Sequence, residues 1–77
     1  MDKVLHTEAD RAVWLIYCAF YTAEMMGGTV KDVVRLFDRY NIAEWLLSGY
    51  RSFHTQGFEY MAELISDRIR EEQVRTQ

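Results

Sequence analysis

Seventy-seven residues make one small domain; 49% are hydrophobic, 14% aromatic and 27% charged, a balance that excludes a disordered tail. Four glycines and no proline exclude collagen-like or loop-rich architecture, and a net charge of −3 lacks the basic footprint expected for binding nucleic acid or an anionic membrane. A domain of this size buries only ~60% of its unfolded surface, and its core rarely supplies more than about 3–5 kcal/mol, so such scaffolds usually add disulfides, a metal or a partner.

Helical periodicity fits the whole chain, and strict alternation fits almost none of it. The first helix is expected from Thr7 or Glu8 to Met26, with Thr7 as N-cap. Glu8 and Asp10 fall in its first turn, where the helix dipole favours acids, and Gly27 or Gly28 supplies the left-handed residue that ends it. Thr29 opens a second helix, with Asp32 three residues on in a near capping box. Val30, Val33, Val34, Phe37 and Tyr40 share one face of it; Lys31, Asp32, Arg35, Asp38 and Arg39 take the other.

Asn41 closes that helix and caps a short third one, since Asn41-Ile42-Ala43-Glu44 has capping-box residue types and Ser48-Gly49 stops the run after Leu47. Ile42, Trp45 and Leu46 form its apolar face. Residues 50–55 read as a connection, with Ser52 or Thr55 available to cap a last helix over about 56–73. Phe58, Met61, Ala62, Ile65 and Ile69 make the core stripe of that helix, Gly57 falls in its first turn, and residues 74–77 are expected to fray. The fold class is therefore all-α: a compact bundle of three to four helices, one domain over 1–77 with its core at about 8–73, and an apolar N-terminal helix at its centre.

That first helix is the most informative segment. At 100° per residue, Val13, Ile16, Tyr17, Phe20 and Ala23 form one apolar stripe. Trp14, Cys18, Tyr21 and Met25 form a second. Leu15, Ala19 and Met26 leave a narrow polar seam holding Glu8, Arg11 and Thr22. Two readings stand: a central helix wrapped on both sides, or a second stripe that meets another chain through residue types enriched at interfaces. In the last helix Glu59, Glu63, Asp67 and Glu71 recur at i+4 as an acidic ridge, relieved by Asp67–Arg70 and Glu71–Arg75 pairs. The ridge is either a solvated face or a docking edge for a basic surface.

Catalysis finds no support in the residues. Cys18 lies mid-helix in an apolar stretch, His6 is near the start and His54 in the last connection, so a Cys18/His54 dyad is the one nucleophilic pairing to test. One Cys and two scattered His residues show no ligand spacing, and Gly27-Gly28 lacks the spacing of a phosphate loop. No metal, cofactor or small-molecule substrate is expected. Asn41 alone is too short for a helix-turn-helix turn, and Ile42-Ala43-Glu44-Trp45-Leu46-Leu47 offers no Arg, Lys, Asn or Gln to read base edges.

Compartment follows from similar arithmetic. Cys18 cannot form an intramolecular disulfide, and residues 1–8 lack the basic and apolar regions of a signal peptide. The longest strongly apolar run, residues 12–21, is about half the ~20 residues that cross a bilayer. The expectation is a cytoplasmic protein without a membrane span.

The second half of the chain resembles a known family. Thr29-Val30-Lys31-Asp32-Val33-Val34-Arg35-Leu36-Phe37-Asp38-Arg39-Tyr40-Asn41-Ile42, followed by Trp45-Leu46, Tyr50, Phe53-His54-Thr55-Gln56-Gly57, Tyr60 and Leu64-Ile65, is similar to the small bacterial family catalogued as domain of unknown function 3791. The resemblance spans about residues 10–70. Phe53 stands where that family usually has leucine, and Asn41 where glycine is common. The family carries no established activity. Its genes are often paired with a family resembling ADP-ribosyltransferase toxins, which implies an antitoxin-like or accessory subunit that occludes a larger bacterial protein.

These readings converge on a non-catalytic protein-binding module, the alternative being a self-associating homodimer. Trp14, Tyr21 and Met25 are the expected anchors, with Glu59, Glu63 and Asp67 as an acidic rim. His54 is either a structural residue bonded to a backbone carbonyl, beside a Thr55 cap and a Gly57 that permits close packing, or a contact for a partner or ligand.

Overall fold

The computed structural model describes residues 8–75. The expected Thr7 cap, His6 and positions 76–77 lie outside the described residues. Within them the chain is all-helical, with α1 (Glu8–Met26), α2 (Val30–Arg39), α3 (Ile42–Ser48), α4 (Tyr50–Phe53) and α5 (Phe58–Arg75) in a bundle.

Local chemistry explains most of the boundaries. Gly27 takes φ +75, a left-handed conformation that costs a residue with a Cβ, and the Gly28 N–H donates to the Ala23 carbonyl at 3.0 Å. This six-to-one bond is the Schellman ending. Thr29 is extended, and its Oγ1 accepts from the Asp32 N–H at 3.1 Å, satisfying a first-turn donor of α2.

Asn41 behaves differently from expectation. Its φ of 56 and ψ of 36 place it in the left-handed region, and its side chain makes no cap bond. A capping side chain works from extended backbone, so the Asn41/Glu44 capping box does not form. Asparagine is one of the few residues besides glycine that tolerates this conformation.

The segment expected as a connection contains one helical turn, α4. Its Phe53 N–H bonds the Gly49 carbonyl at 2.8 Å. A Cβ on Gly49 would sit 2.6 Å from the Phe53 ring, so a side chain at this corner would force that ring to move. Thr55 does not cap α5: its Oγ1 donates back to the Ser52 carbonyl at 2.8 Å. The Gly57 carbonyl accepts the Met61 N–H at 3.0 Å, so Gly57 precedes the first turn rather than lying inside it. Nothing lies within 4 Å of a Cβ built there. Close packing is therefore not its role. At the other end α5 continues through Arg75, two residues past the expected stop, with Arg68 and Arg75 each 3.4 Å from Glu72.

The core draws on every helix: Trp14, Cys18, Ala19 and Ala23 from α1, Val33 and Phe37 from α2, Ile42 and Leu46 from α3, Tyr50 from α4, and Met61, Ile65 and Ile69 from α5. The stripes read for the second, third and last helices supply these residues, although Val34 faces out and Phe58 is half-buried. Helix α1 packs on α5, α2 and α3.

The orientation of α1 was not the one its hydrophobicity suggests. Its buried arc runs through Trp14, Cys18, Thr22, Ala19 and Ala23, with Leu15 and Met26 half-buried beside it. Thr22, assigned to the polar seam, is 0% exposed, while Val13, Ile16, Tyr17 and Phe20 face solvent. The arc is lined mainly by small side chains, which let neighbouring helices approach closely and fill space without voids. Bulky aromatics on that face would hold the helices apart. Close packing outweighed the burial of the largest apolar groups, and it leaves the Thr22 and Ser66 hydroxyls and the Trp14 indole N–H buried without a hydrogen-bond partner among the described residues. Each such group costs about 1–3 kcal/mol.

Candidate functional site

The most distinctive surface follows from that orientation. Val13, Ile16, Tyr17 and Phe20 are 50, 53, 49 and 52% exposed, and Tyr21 and Met25 extend the patch at 42 and 45%. Six large apolar side chains on one helix are thus about half in water. The rings of Tyr17 and Tyr21 both lean on half-buried Phe58 of α5, at centroid distances of 5.5 and 5.1 Å, the second pair stacked within 18°. Phe58 therefore fixes two of the exposed rings in place instead of leaving them to rotate freely.

Beside this ladder, a groove of about 650 Å³ lies between α1 and α5. Tyr21, Met25, Tyr60 and Ala62 give it apolar walls; Glu24, Glu59 and Glu63 add three carboxylates, and no basic residue lines it among those described. The structure thus gathers four of the expected contact residues, Tyr21, Met25, Glu59 and Glu63, around one groove.

The other three fall elsewhere. Trp14 is 7% exposed, its indole edge against the Tyr50 ring at 5.2 Å and 87°, so it is a core residue and offers no surface anchor. Its ring packs on α4 through Tyr50. Asp67 is exposed but paired with Arg70 at 3.1 Å. The expected Glu71–Arg75 pair is replaced by Arg75–Glu72, and Glu72 also receives Arg68. Exposed pairs of this kind contribute about 0–1 kcal/mol.

His54 stands on another face. Its Nδ1 lies 2.6 Å from the Tyr50 carbonyl, which can only accept, so Nδ1 carries a proton; the imidazole stacks on the Tyr50 ring at 4.5 Å and 11°. Arg11, Tyr50, Arg51 and His54 line a cavity of about 240 Å³ there.

Cys18 is unsuited to attack. It is fully buried, and burial pushes its thiol from 9.0 up to about 12, so it stays protonated and inert at neutral pH. His54 is committed to Tyr50. Among the described residues no three His, Cys, Asp or Glu side chains gather as a metal site requires, and no helix is long and apolar enough to cross a membrane.

Sequence reasoning missed Val13, Ile16, Tyr17 and Phe20 as surface residues, together with Glu24 and Tyr60. A usable signal was present: Cys18, Ala19, Thr22 and Ala23 concentrate small side chains on the side opposite the aromatics.

The family described as "Protein of unknown function (DUF3791)" matches residues 13–72. No curated protein and no solved structure matches the chain.

Proposed function

The chain belongs to the DUF3791 family, and within it we propose that this member is a non-catalytic protein-binding module, an antitoxin-like or accessory subunit of the bacterial cytoplasm that occludes a larger protein. The observation that carries the reading is the outward stripe of α1, where Val13, Ile16, Tyr17 and Phe20 are each about half exposed. Contiguous apolar surface of this kind, rimmed by polar groups, marks interaction sites on soluble proteins. Aromatic side chains held by Phe58 lose little further freedom on docking, which lowers the cost of association.

Charge specifies the partner. Glu24, Glu59 and Glu63 give the groove one sign, so its complement is an apolar surface fringed by Lys or Arg. An anionic membrane would be repelled. Packing the groove against its own copy sets carboxylates against carboxylates, which favours a heterologous partner over the homodimer.

The test has two parts. Sedimentation of the purified chain over a wide concentration range is expected to give a constant monomer mass. A partner isolated from the native host and purified is expected to form a stoichiometric complex that Phe20→Glu abolishes, and that Glu59→Lys with Glu63→Lys weakens. A concentration-dependent dimer lost in Phe20→Glu would replace this reading with the homodimer. A complex indifferent to all three substitutions would refute it.

A further inference from the structure

A second site lies away from the groove, at the junction of α1 and α4. Tyr50 is buried, and three groups surround its ring: the Trp14 edge, the His54 imidazole, and the Arg11 guanidinium 5.1 Å from its centroid. Arg51 follows Tyr50 in the chain, and with Arg11, Tyr50 and His54 it encloses the cavity of about 240 Å³. No carboxylate lines that cavity among the described residues.

The arginines of α5 provide the contrast. Arg68, Arg70 and Arg75 each have a carboxylate within 3.4 Å. Arg11 and Arg51 have none among the described residues, although the chain as a whole carries three more negative than positive charges. Two cations that line one cavity without a carboxylate beside them repel one another, and a bound anion relieves that repulsion.

From this arrangement we propose that Arg11 and Arg51, with His54 beside them, bind a phosphoryl group. Size selects the ligand: sites that enclose a drug-sized molecule run to roughly 300–1,000 Å³, whereas 240 Å³ suits a single compact oxyanion or the end of a phosphomonoester. Charge selects it too, because a phosphoryl group carries about −1.5 to −2 at neutral pH and so matches two guanidinium ions better than a carboxylate does. Guanidinium forks give paired hydrogen bonds to such oxygens. The His54 ring, fixed by its Nδ1 bond and its stacking on Tyr50, forms a rigid wall. The site is independent of the protein-docking face and shares no residue with it.

The experiment titrates the full chain with inorganic phosphate at constant ionic strength, following backbone amide shifts by NMR, with sodium chloride as the matched control. Saturable shifts centred on residues 11 and 50–54 are expected with phosphate and absent with chloride. Arg11→Gln and Arg51→Gln are each expected to weaken binding about tenfold, the scale of a charge-assisted hydrogen bond, while Arg35→Gln on α2 leaves it unchanged. All three arginines are exposed, so the variants keep the fold, and a thermal melt verifies it. Glycerol phosphate run in parallel separates the two sources: equal affinity indicates the free ion, and tighter binding an esterified group. Shifts that fail to saturate, that chloride reproduces, or that saturate with undiminished affinity in Arg11→Gln or Arg51→Gln would overturn the proposal.

Discussion

Two substitutions on α1 test the orientation of the helix against what hydrophobicity alone would say. Ala23→Leu adds apolar volume, and Phe20→Gln removes it. Ala23 is 3% exposed on the packed arc, so three added carbons have no space to enter. Overpacking of this kind costs about 1–3 kcal/mol. Phe20 is 52% exposed, so about half of the ~1.5–3 kcal/mol gained by full burial of such a side chain is at stake. Glutamine returns a few tenths of a kcal/mol through its better helix propensity. The net loss for Phe20→Gln is then about 1 kcal/mol or less. Urea unfolding followed by circular dichroism resolves the difference, because with a slope of ~1 kcal/mol/M for a domain this small, Ala23→Leu lowers the midpoint by about 1–3 M. The more apolar variant is expected to be the less stable one. If Phe20→Gln proves the more damaging, the outward stripe is a core face and the packing argument is wrong.

Cys18 gives a pH prediction. Its folded thiol titrates at about 12 against an ordinary 9.0, so the folded state keeps its proton while the unfolded chain releases it. The contribution is fully present below pH 9 and falls by ~1.4 kcal/mol per pH unit toward 12. Wild type should therefore lose stability relative to Cys18→Ala between pH 9 and 11, and a gap between them that is constant with pH would refute this; Ellman's reagent should label the thiol only on unfolding. The adjacent glycines supply a backbone contrast. Gly27→Ala forces a Cβ into φ +75 with nothing nearby to clash, so its cost is conformational, about 1–2 kcal/mol. Gly28→Ala meets only Asp32 Oδ2 at 3.9 Å, an ordinary contact, and should be close to neutral. At ~4–8 °C per kcal/mol a thermal melt separates the two, and equal shifts would contradict the Schellman assignment.

The legible parts of this fold are those set within one turn of helix. Thr29 and Asp32 announce the start of α2, Gly27 ends α1, and the i, i+4, i+8 spacing of Met61, Ile65 and Ile69 identifies the buried side of α5. Where local signals compete, residue type alone does not decide the conformation. Asn41 has the chemistry of a cap and the conformation of a turn, and Thr55 bonds backward to Ser52.

Most of the expected contact residues lie on α1 and α5, the helices that form the groove, but only some of them line it. Tyr21, Met25, Glu59 and Glu63 line one groove, while Trp14 sits in the core and His54 on another face. The exchange of Trp14 and Phe20 between surface and core has one source. Apolar content says that a side chain gains by leaving water, and it does so equally for Trp14 and Phe20.

The sequence by itself determined an all-helical bundle, its principal helix boundaries and the excess of apolar surface on the first helix, because caps, glycines and periodicity act between residues a few positions apart in the chain. Only the tertiary structure decided which arc of α1 is buried. That choice depends on the small side chains Cys18, Ala19, Thr22 and Ala23 meeting helices distant in the chain, and on steric fit, which outweighed hydrophobicity and turned four large apolar residues toward solvent.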